Sequence, residues 1–239
     1  MRLKMEFTLK KPECDVEYRR TFLSLLKNSF EMASDEVYQR FYGKGTPMKP
    51  FTFAVYLHQP KFAGDVIHLN STEIHLNFST SLQDLGIYFY NSLIKRKLQF
   101  APYPLANDND MRLKRISLQK EKPIQTNEVV FKTISPFLVR LHKQESNSDE
   151  YLTKQHTLLV SQMEENIRVQ VAELLGRKER VEFMPVLLKD GFPIKHYGSN
   201  VQGNTGIFKL TGHPEVLDFI YKTGIGSRRS EGFGMLDAV

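Results

Sequence analysis

Strand-period and helix-period segments follow one another in the same order twice along this chain, and that repeat leaves few folds open. Leu3, Met5, Phe7 and Leu9 alternate with Arg2, Lys4, Glu6 and Thr8, the period of a strand with one buried face. Tyr18, Phe22, Leu25, Leu26, Ser29 and Phe30 then recur at helical spacing behind Asp15, a residue type suited to capping. A second, short helix is expected from Ser34-Asp35-Glu36 through Val37, Tyr38 and Phe41, with a stop at Gly43. Residues 51–57 read as a strand, and 66–69 with 72–78 as a hairpin around Asn70-Ser71. Ser81 is placed to cap a longer helix carrying Leu82, Leu85, Phe89, Leu93 and Leu98, and residues 111–118 return to strand alternation.

The second half runs through that order again. Residues 129–134 and 137–141 form an opening strand broken at Ser135-Pro136, and a helix fits 154–176 with Met163, Ile167, Val171, Leu174 and Leu175 on one face. Residues 181–188 and 206–210 are the middle strands, His213-Pro214 opens a short helix, and 233–239 closes as the last strand. Two βαββαβ runs predict an α+β chain of two tandem ferredoxin-like domains, 1–120 and 128–239. Asn107–Asp110 is a turn within the first domain and 119–127 the linker. No residue-level repeat accompanies this duplication of order.

Composition narrows the setting. With 41% hydrophobic and 25% charged residues over 239, the chain is globular rather than disordered. Charges interrupt every apolar run, and the N-terminal stretch alternates instead of forming a signal-peptide core, so no membrane partner is expected. A single cysteine, Cys14, allows no internal disulfide and favours a reducing cytoplasm. The net charge of +6 leans toward a polyanionic partner. It is spread over separate clusters at Lys95-Arg96-Lys97, Arg112/Lys114/Arg115, Arg177-Lys178/Arg180 and Arg228-Arg229.

Residues 224–234, Gly-Ile-Gly-Ser-Arg-Arg-Ser-Glu-Gly-Phe-Gly, place four glycines around a Ser/Arg stretch. Such a backbone can approach a phosphate closely, next to guanidinium groups. No Gly-Lys-Ser/Thr follows, so this is not a nucleotide-binding P-loop. It reads as a loop from the second helix to the last strand of the second domain. The plainer alternative is a tight helix-to-strand turn with incidental charges.

Here the chain resembles a known family, the CRISPR-associated endoribonucleases that cut repeat RNA, members of the repeat-associated (RAMP) superfamily. The resemblance rests on Gly224-Ile225-Gly226, the variable residues Ser227 to Glu231, and Gly232-Phe233-Gly234-Met235-Leu236, which match the family's C-terminal signature throughout. Lys49-Pro50-Phe51-Thr52-Phe53 is similar to the segment opening the family's second strand, and Phe131-Lys132-Thr133-Ile134-Ser135-Pro136 to the opening of its second domain. The likeness covers the whole chain in order. It implies two ferredoxin-like domains of RAMP type.

The resemblance also implies metal-independent cleavage, in which a ribose 2′-hydroxyl attacks its own adjacent phosphate. The sequence is compatible with this, having no His-Glu-x-x-His and no acidic cluster at ligand spacing; neither a metal nor a cofactor is expected. Such catalysis needs a base, an acid and a cation for the phosphate. Many relatives place a histidine just after the first helix, whereas this chain has no histidine between Asp15 and Leu57. That window offers Tyr38, Arg40, Tyr42, Lys44 and Lys49. Tyr42, followed by Gly43-Lys44-Gly45, lies nearest the expected position, with Tyr38 and Gln39 as other registers. Tyr38 and Phe41 equally fit a purely packing role. Among the seven histidines, His58 leads because it follows the strand at 51–57. His196 lies in a loop open to RNA.

For RNA, the resemblance assigns the grip to Gly224, Gly226, Ser227, Arg228, Arg229, Gly232 and Gly234, flanked by Lys209 and Lys222. Two functions follow. One is an endoribonuclease that cuts CRISPR repeat RNA and retains its processed guide RNA. The other is a non-cleaving RNA-binding scaffold in a multisubunit CRISPR effector complex. Either is open to a monomer or a homodimer.

Overall fold

The computed structural model describes every residue except Thr46 and Ser146. The chain divides into two compact units, Met1–Pro47 with Ala54–Lys120 (unit 1) and Met48–Phe53 with Glu121–Val239 (unit 2).

Unit 1 contains β1 (Arg2–Leu9), β2 (Glu13–Asp15), α1 (Tyr18–Ala33), α2 (Asp35–Tyr42), β3 (Phe51–Leu57, whose first residues group with unit 2), β4 (Lys61–Ala63), β5 (Val66–His68), β6 (Glu73–Thr80), α3 (Gln83–Leu98), β7 (Tyr103–Leu105) and β8 (Asn109–Leu118). The main sheet runs β3-β6-β1-β8-β7. Its first four strands have the βαββαβ order 4-1-3-2, with β7 added at the edge. The alternation of β1 is realised directly: Leu3, Met5, Phe7 and Leu9 are buried, as are Phe22, Leu25, Leu26 and Phe30 of α1 and Leu85, Phe89 and Leu93 of α3. Burying each such side chain contributes roughly 1.5–3 kcal/mol. The cap of α2 is as read from sequence, with Ser34 Oγ accepting the Val37 N–H at 3.3 Å.

Two local expectations are corrected. The hairpin around Asn70-Ser71 does not form, because the chain changes sheets there. Leu69 N–H donates to Pro12 O, while Thr72 O accepts from Leu9 N–H. β5 therefore pairs with β2 and β4, and β6 pairs with β1. Helix α3 has Leu82, not Ser81, as its N-cap, and Thr80 Oγ1 takes the Leu82 N–H instead.

Unit 2 contains β9 (Glu128–Thr133), β10 (Val139–Lys143), β11 (Ser148–Leu152), α4 (Leu159–Leu175), β12 (Glu182–Leu188), β13 (Phe192–His196), β14 (Ser199–Gly203), β15 (Gly206–Thr211), α5 (Pro214–Thr223) and β16 (Leu236–Ala238). Its four-stranded sheet runs β12-β15-β9-β16, again 4-1-3-2 when read from the last strand. The core gathers Phe131, Phe208, Met163, Ile167, Val171, Leu217 and Ile220 from sheet and helices. The opening strand ends at Thr133. Residues 137–141 do not continue it, since β10 instead forms a hairpin with β11. A second hairpin, β13–β14, was not legible in the sequence. Val139 and Leu152 of the first hairpin join the main core, whereas Ile194 and Val201 of the second form a small separate core with Leu138 and Phe233, Tyr151 lying against it. No helix among the described residues is long and apolar enough to cross a membrane.

Candidate functional site

Residues 224–234 leave α5 and reach β16 as a loop pinned by two buried anchors. Ile225 belongs to the main core of unit 2, and Phe233 to the small hairpin core. The glycines on either side of these anchors let backbone meet backbone. Gly226 and Gly234 have φ of +79° and +69°, and a Cβ at either would overlap a carbonyl oxygen, of Leu138 and of Ile225 respectively. The approach is used for hydrogen bonds: Ile225 N–H to Gly234 O at 2.9 Å, Ser227 N–H to Leu138 O at 2.8 Å, and Gly234 N–H to Pro136 O at 2.8 Å. Gly224 N–H closes α5 on Ile220 O, and Gly232 N–H closes a single 3-10 turn (Arg229–Glu231) on Arg229 O. Thr52, which groups with this unit, donates from Oγ1 to Phe233 O at 2.8 Å.

Helix α4 supports the loop from beneath. Gln170 is buried and donates to Thr223 Oγ1 and Gly224 O, and Ser227 Oγ donates to Asn166 Oδ1 at 3.1 Å. The main chain of the loop is thus committed to the fold, and its glycines serve close packing.

The adjacent arginines have opposite environments. Arg229 is buried, donates from Nη1 to Gly226 O at 2.6 Å, and has its Nε without a protein partner. Burial, partly offset by the charge of Glu173, pushes its pKa down to about 10. The expectation that Arg229 reaches RNA is therefore corrected: its guanidinium faces inward and braces the loop. Arg228 is half-buried, in left-handed backbone at φ +55°, donating from Nε to Tyr151 Oη at 2.9 Å and from Nη1 to Glu231 Oε2 at 3.2 Å. Burial opposes its charge, but the Tyr151 hydroxyl and the Glu231 carboxylate more than offset this and hold the pKa above its ordinary value. Glu231 also accepts from His196 Nε2 at 2.6 Å. Burial works against the carboxylate, yet His196 and Arg228 together hold its pKa below the usual value.

His196 is not in an open loop as the sequence led one to expect. It lies on β13, buried, with its ring edge-on to Phe233 at 5.2 Å. Sequence reasoning missed Tyr151, Glu231, Asn166 and Gln170. Only Glu231 left a signal, its spacing of three from Arg228 inside the glycine stretch.

Lys209 and Lys222 do not add free cations. Lys209 Nζ pairs with Glu128 at 3.0 Å, and Lys222 Nζ with Asp218 at 2.7 Å and Glu121 at 3.6 Å.

In unit 1, Tyr38 and Tyr42 are brought together on α2, one helical turn apart, with rings stacked at 5.7 Å and 23°. Tyr42 also stacks on Phe30 of α1 at 6.4 Å, and Lys27 Nζ lies 5.7 Å from both tyrosine ring centroids. Lys27 was not singled out from the sequence, because its helix places it beside a segment to which it has no sequence relation. Lys44 is exposed just beyond the helix, and Lys49 is half-buried and groups with unit 2. His58 belongs to a different cluster: it is exposed, and its ring meets Tyr56 edge-on at 6.4 Å. Among the described residues, no group of three His, Cys, Asp or Glu side chains is placed to hold a metal ion.

The C-terminal family model of the CRISPR-associated protein Cas6 matches residues 119–238. A CRISPR-associated endoribonuclease-like protein, Cas6nc, of Pyrococcus horikoshii is 28% identical over 122 residues, 47% of this chain and 48% of that protein. The corresponding Cas6 endoribonuclease-like protein of Pyrococcus furiosus is 26% identical over 136 residues, 52% of this chain and 53% of that protein. The chain thus spans about half the length of these curated relatives in the matched region. A Cas6-related structure from Pyrococcus furiosus superposes with a TM-score of 0.86 at 19% identity, covering 100% of this chain and 98% of the other. A structure described as a RAMP protein binding different RNA substrates gives 0.84 at 20%, covering 100% and 99%. These two likenesses establish the fold, two tandem ferredoxin-like domains. With half of its residues matched by the family model and its fold shared throughout, the chain belongs to the CRISPR-associated Cas6 family.

Proposed function

We propose that this protein processes CRISPR repeat RNA, gripping it with the glycine loop of unit 2 and cutting it without a metal ion. The observation that carries the grip is the immobilised loop with Arg228 at its surface. Two of the guanidinium's donors are held by Tyr151 and Glu231, while Nη2 has no protein partner among the described residues. A guanidinium fixed in this way loses little further freedom on meeting a phosphate or base edge. The family membership and the endoribonuclease-like character of the two Pyrococcus relatives support the same reading.

For cleavage, the ribose 2′-oxygen gives up its proton to a base and attacks phosphorus, the bond to the 5′-oxygen breaks, and an acid protonates the leaving oxygen. Tyr42 is our candidate base, with Tyr38 as its stacked neighbour and His58 as the other candidate. A phenol with reference pKa of about 10 is a weak base at neutral pH. Lys27 Nζ lies 5.7 Å from both ring centroids and places a cation beside the tyrosine pair. Lys44 and Lys49 are the candidates for balancing phosphate charge. The lack of histidine between Asp15 and Leu57 favours a second reading, a non-cleaving RNA-binding scaffold subunit. Both readings place CRISPR RNA on this protein in the cytoplasm, and only the first makes the processed guide RNA its product.

End-labelled repeat RNA incubated in EDTA separates them. Cleavage is expected to leave a 5′-hydroxyl and a cyclic phosphate, while RNA with a 2′-deoxy at the cut site is bound and stays intact. Retention without cleavage under any metal condition selects the scaffold. Absence of binding overturns both readings.

A further inference from the structure

We propose that the open face of the unit 1 sheet carries a base-stacking site for unpaired RNA, centred on Tyr56. The proposal rests on the RNA-binding reading above and adds a contact surface made of different residues from the glycine loop.

The alternation of β1 turns Leu3, Met5 and Phe7 into the core and leaves Lys4 and Glu6 on the other face. That face continues across β6 through His75, opposite Glu6, and Asn77, opposite Lys4. Across β8 it continues through Arg115, opposite Glu6, and Ser117, opposite Lys4. On β3, next to β6, Tyr56 is 53% exposed. Its ring stacks on His75 at 5.8 Å and 22°, and His58 meets it edge-on. These neighbours fix the plane of an aromatic ring that water otherwise covers. An unpaired base recognises such a platform through its π-face, whatever its identity.

The charges on the same face favour a polyanion. Lys4 pairs with Glu6 at 3.4 Å, and Lys114 pairs with Glu73, so both acids are matched. Arg115 is exposed and has no such partner among the described residues, which leaves it for a phosphate. It lies three strand spacings from Tyr56, roughly 14 Å, a span suited to about two or three bases. His75 has its pKa lowered, by burial first and by Lys4 next, so it stacks as a neutral ring near pH 7.

The test uses the whole protein and an unpaired oligoribonucleotide with one adenine replaced by 2-aminopurine, whose fluorescence is quenched by stacking. Quenching is expected with the native protein and with Tyr56→Phe, which keeps the ring. Tyr56→Ala is expected to lose the quench and to weaken binding about fivefold to a hundredfold, with an unchanged melting temperature. Arg115→Ala is expected to keep the quench and flatten the salt dependence by about one phosphate contact. Native binding with a quench that survives Tyr56→Ala overturns the stacking site and leaves RNA binding standing. A native protein that binds no RNA overturns the RNA-binding reading itself.

Discussion

The glycine loop and helix α2 hold their side chains still by opposite means. In the loop, main chain is stitched to main chain through Gly226 and Gly234, and two hydrophobic anchors sit in two cores. Arg228 is then oriented by a polar network of Tyr151, Glu231 and His196. In α2, only eight residues long, the tyrosines are ordered by ring stacking on Phe30 and on each other, next to one lysine. Backbone stitching tolerates almost no substitution at the glycines, whereas ring stacking tolerates any ring. The first kind of site is thus recognisable as a motif, and the second is free to change its chemistry.

That contrast is most exposed at Tyr42. Tyr42→Phe keeps the stack and removes only the hydroxyl. If Tyr42 is the base, single-turnover cleavage should fall about a hundredfold to ten-thousandfold with repeat-RNA affinity unchanged. A full rate in Tyr42→Phe and in Tyr38→Phe would reduce α2 to packing and move the search to His58.

Glycine substitutions probe the other half. Gly234→Ala should cost about 3 kcal/mol in thermal or denaturant unfolding, since a positive φ and a carbonyl overlap act together. Gly45→Ala, just beyond α2, should cost only about 1 kcal/mol, because its φ of +85° is unfavourable but a Cβ there meets nothing within 4 Å. Equal losses at the two sites would contradict the view that backbone contact, beyond the positive φ, sets the cost at Gly234.

The arginine pair sharpens the picture within the loop. Arg229→Met should lower stability by about 1–3 kcal/mol by orphaning the Gly226 carbonyl, and leave the salt slope of RNA binding as it was. Arg228→Ala should do the reverse, with near-native unfolding and a slope smaller by about one phosphate contact. A slope that responds to Arg229 instead would mean that the loop opens on binding.

The smallest effect is expected from acid. The folded carboxyl of Glu231 is held below its ordinary value of 4.5, so its contribution is complete above that value. It is lost as pH falls through the depressed folded value. Native protein should therefore lose more stability than Glu231→Gln over that acid interval; parallel pH–stability curves would show that the network does not couple to folding.

Much of this architecture was legible because it depends on period. β1, α2, β12, β15 and α5 lie close to where alternation, helical spacing, the Ser34 cap and Pro214 put them. The glycine loop was legible for a related reason, since only glycine suits a positive φ against a carbonyl, and the chemistry of that constraint is local. The hairpins β10–β11 and β13–β14 were not, because their strands are short and their apolar residues divide between the main core of unit 2 and a small core made by distant segments.

Side-chain roles divided along the same line. Sequence alone determined that arginines stand at 228 and 229 in a glycine-bracketed loop, and that the window before residue 58 holds tyrosines but no histidine. Tertiary structure alone decided that Arg228 faces outward and Arg229 inward, because a left-handed residue followed by a single 3-10 turn sends adjacent side chains to opposite sides. It likewise decided that Lys209 and Lys222 are spent on carboxylates, and that Lys27 stands over the tyrosines. Those pairings join residues from different elements, and a one-dimensional pattern records spacing within an element but not which elements meet.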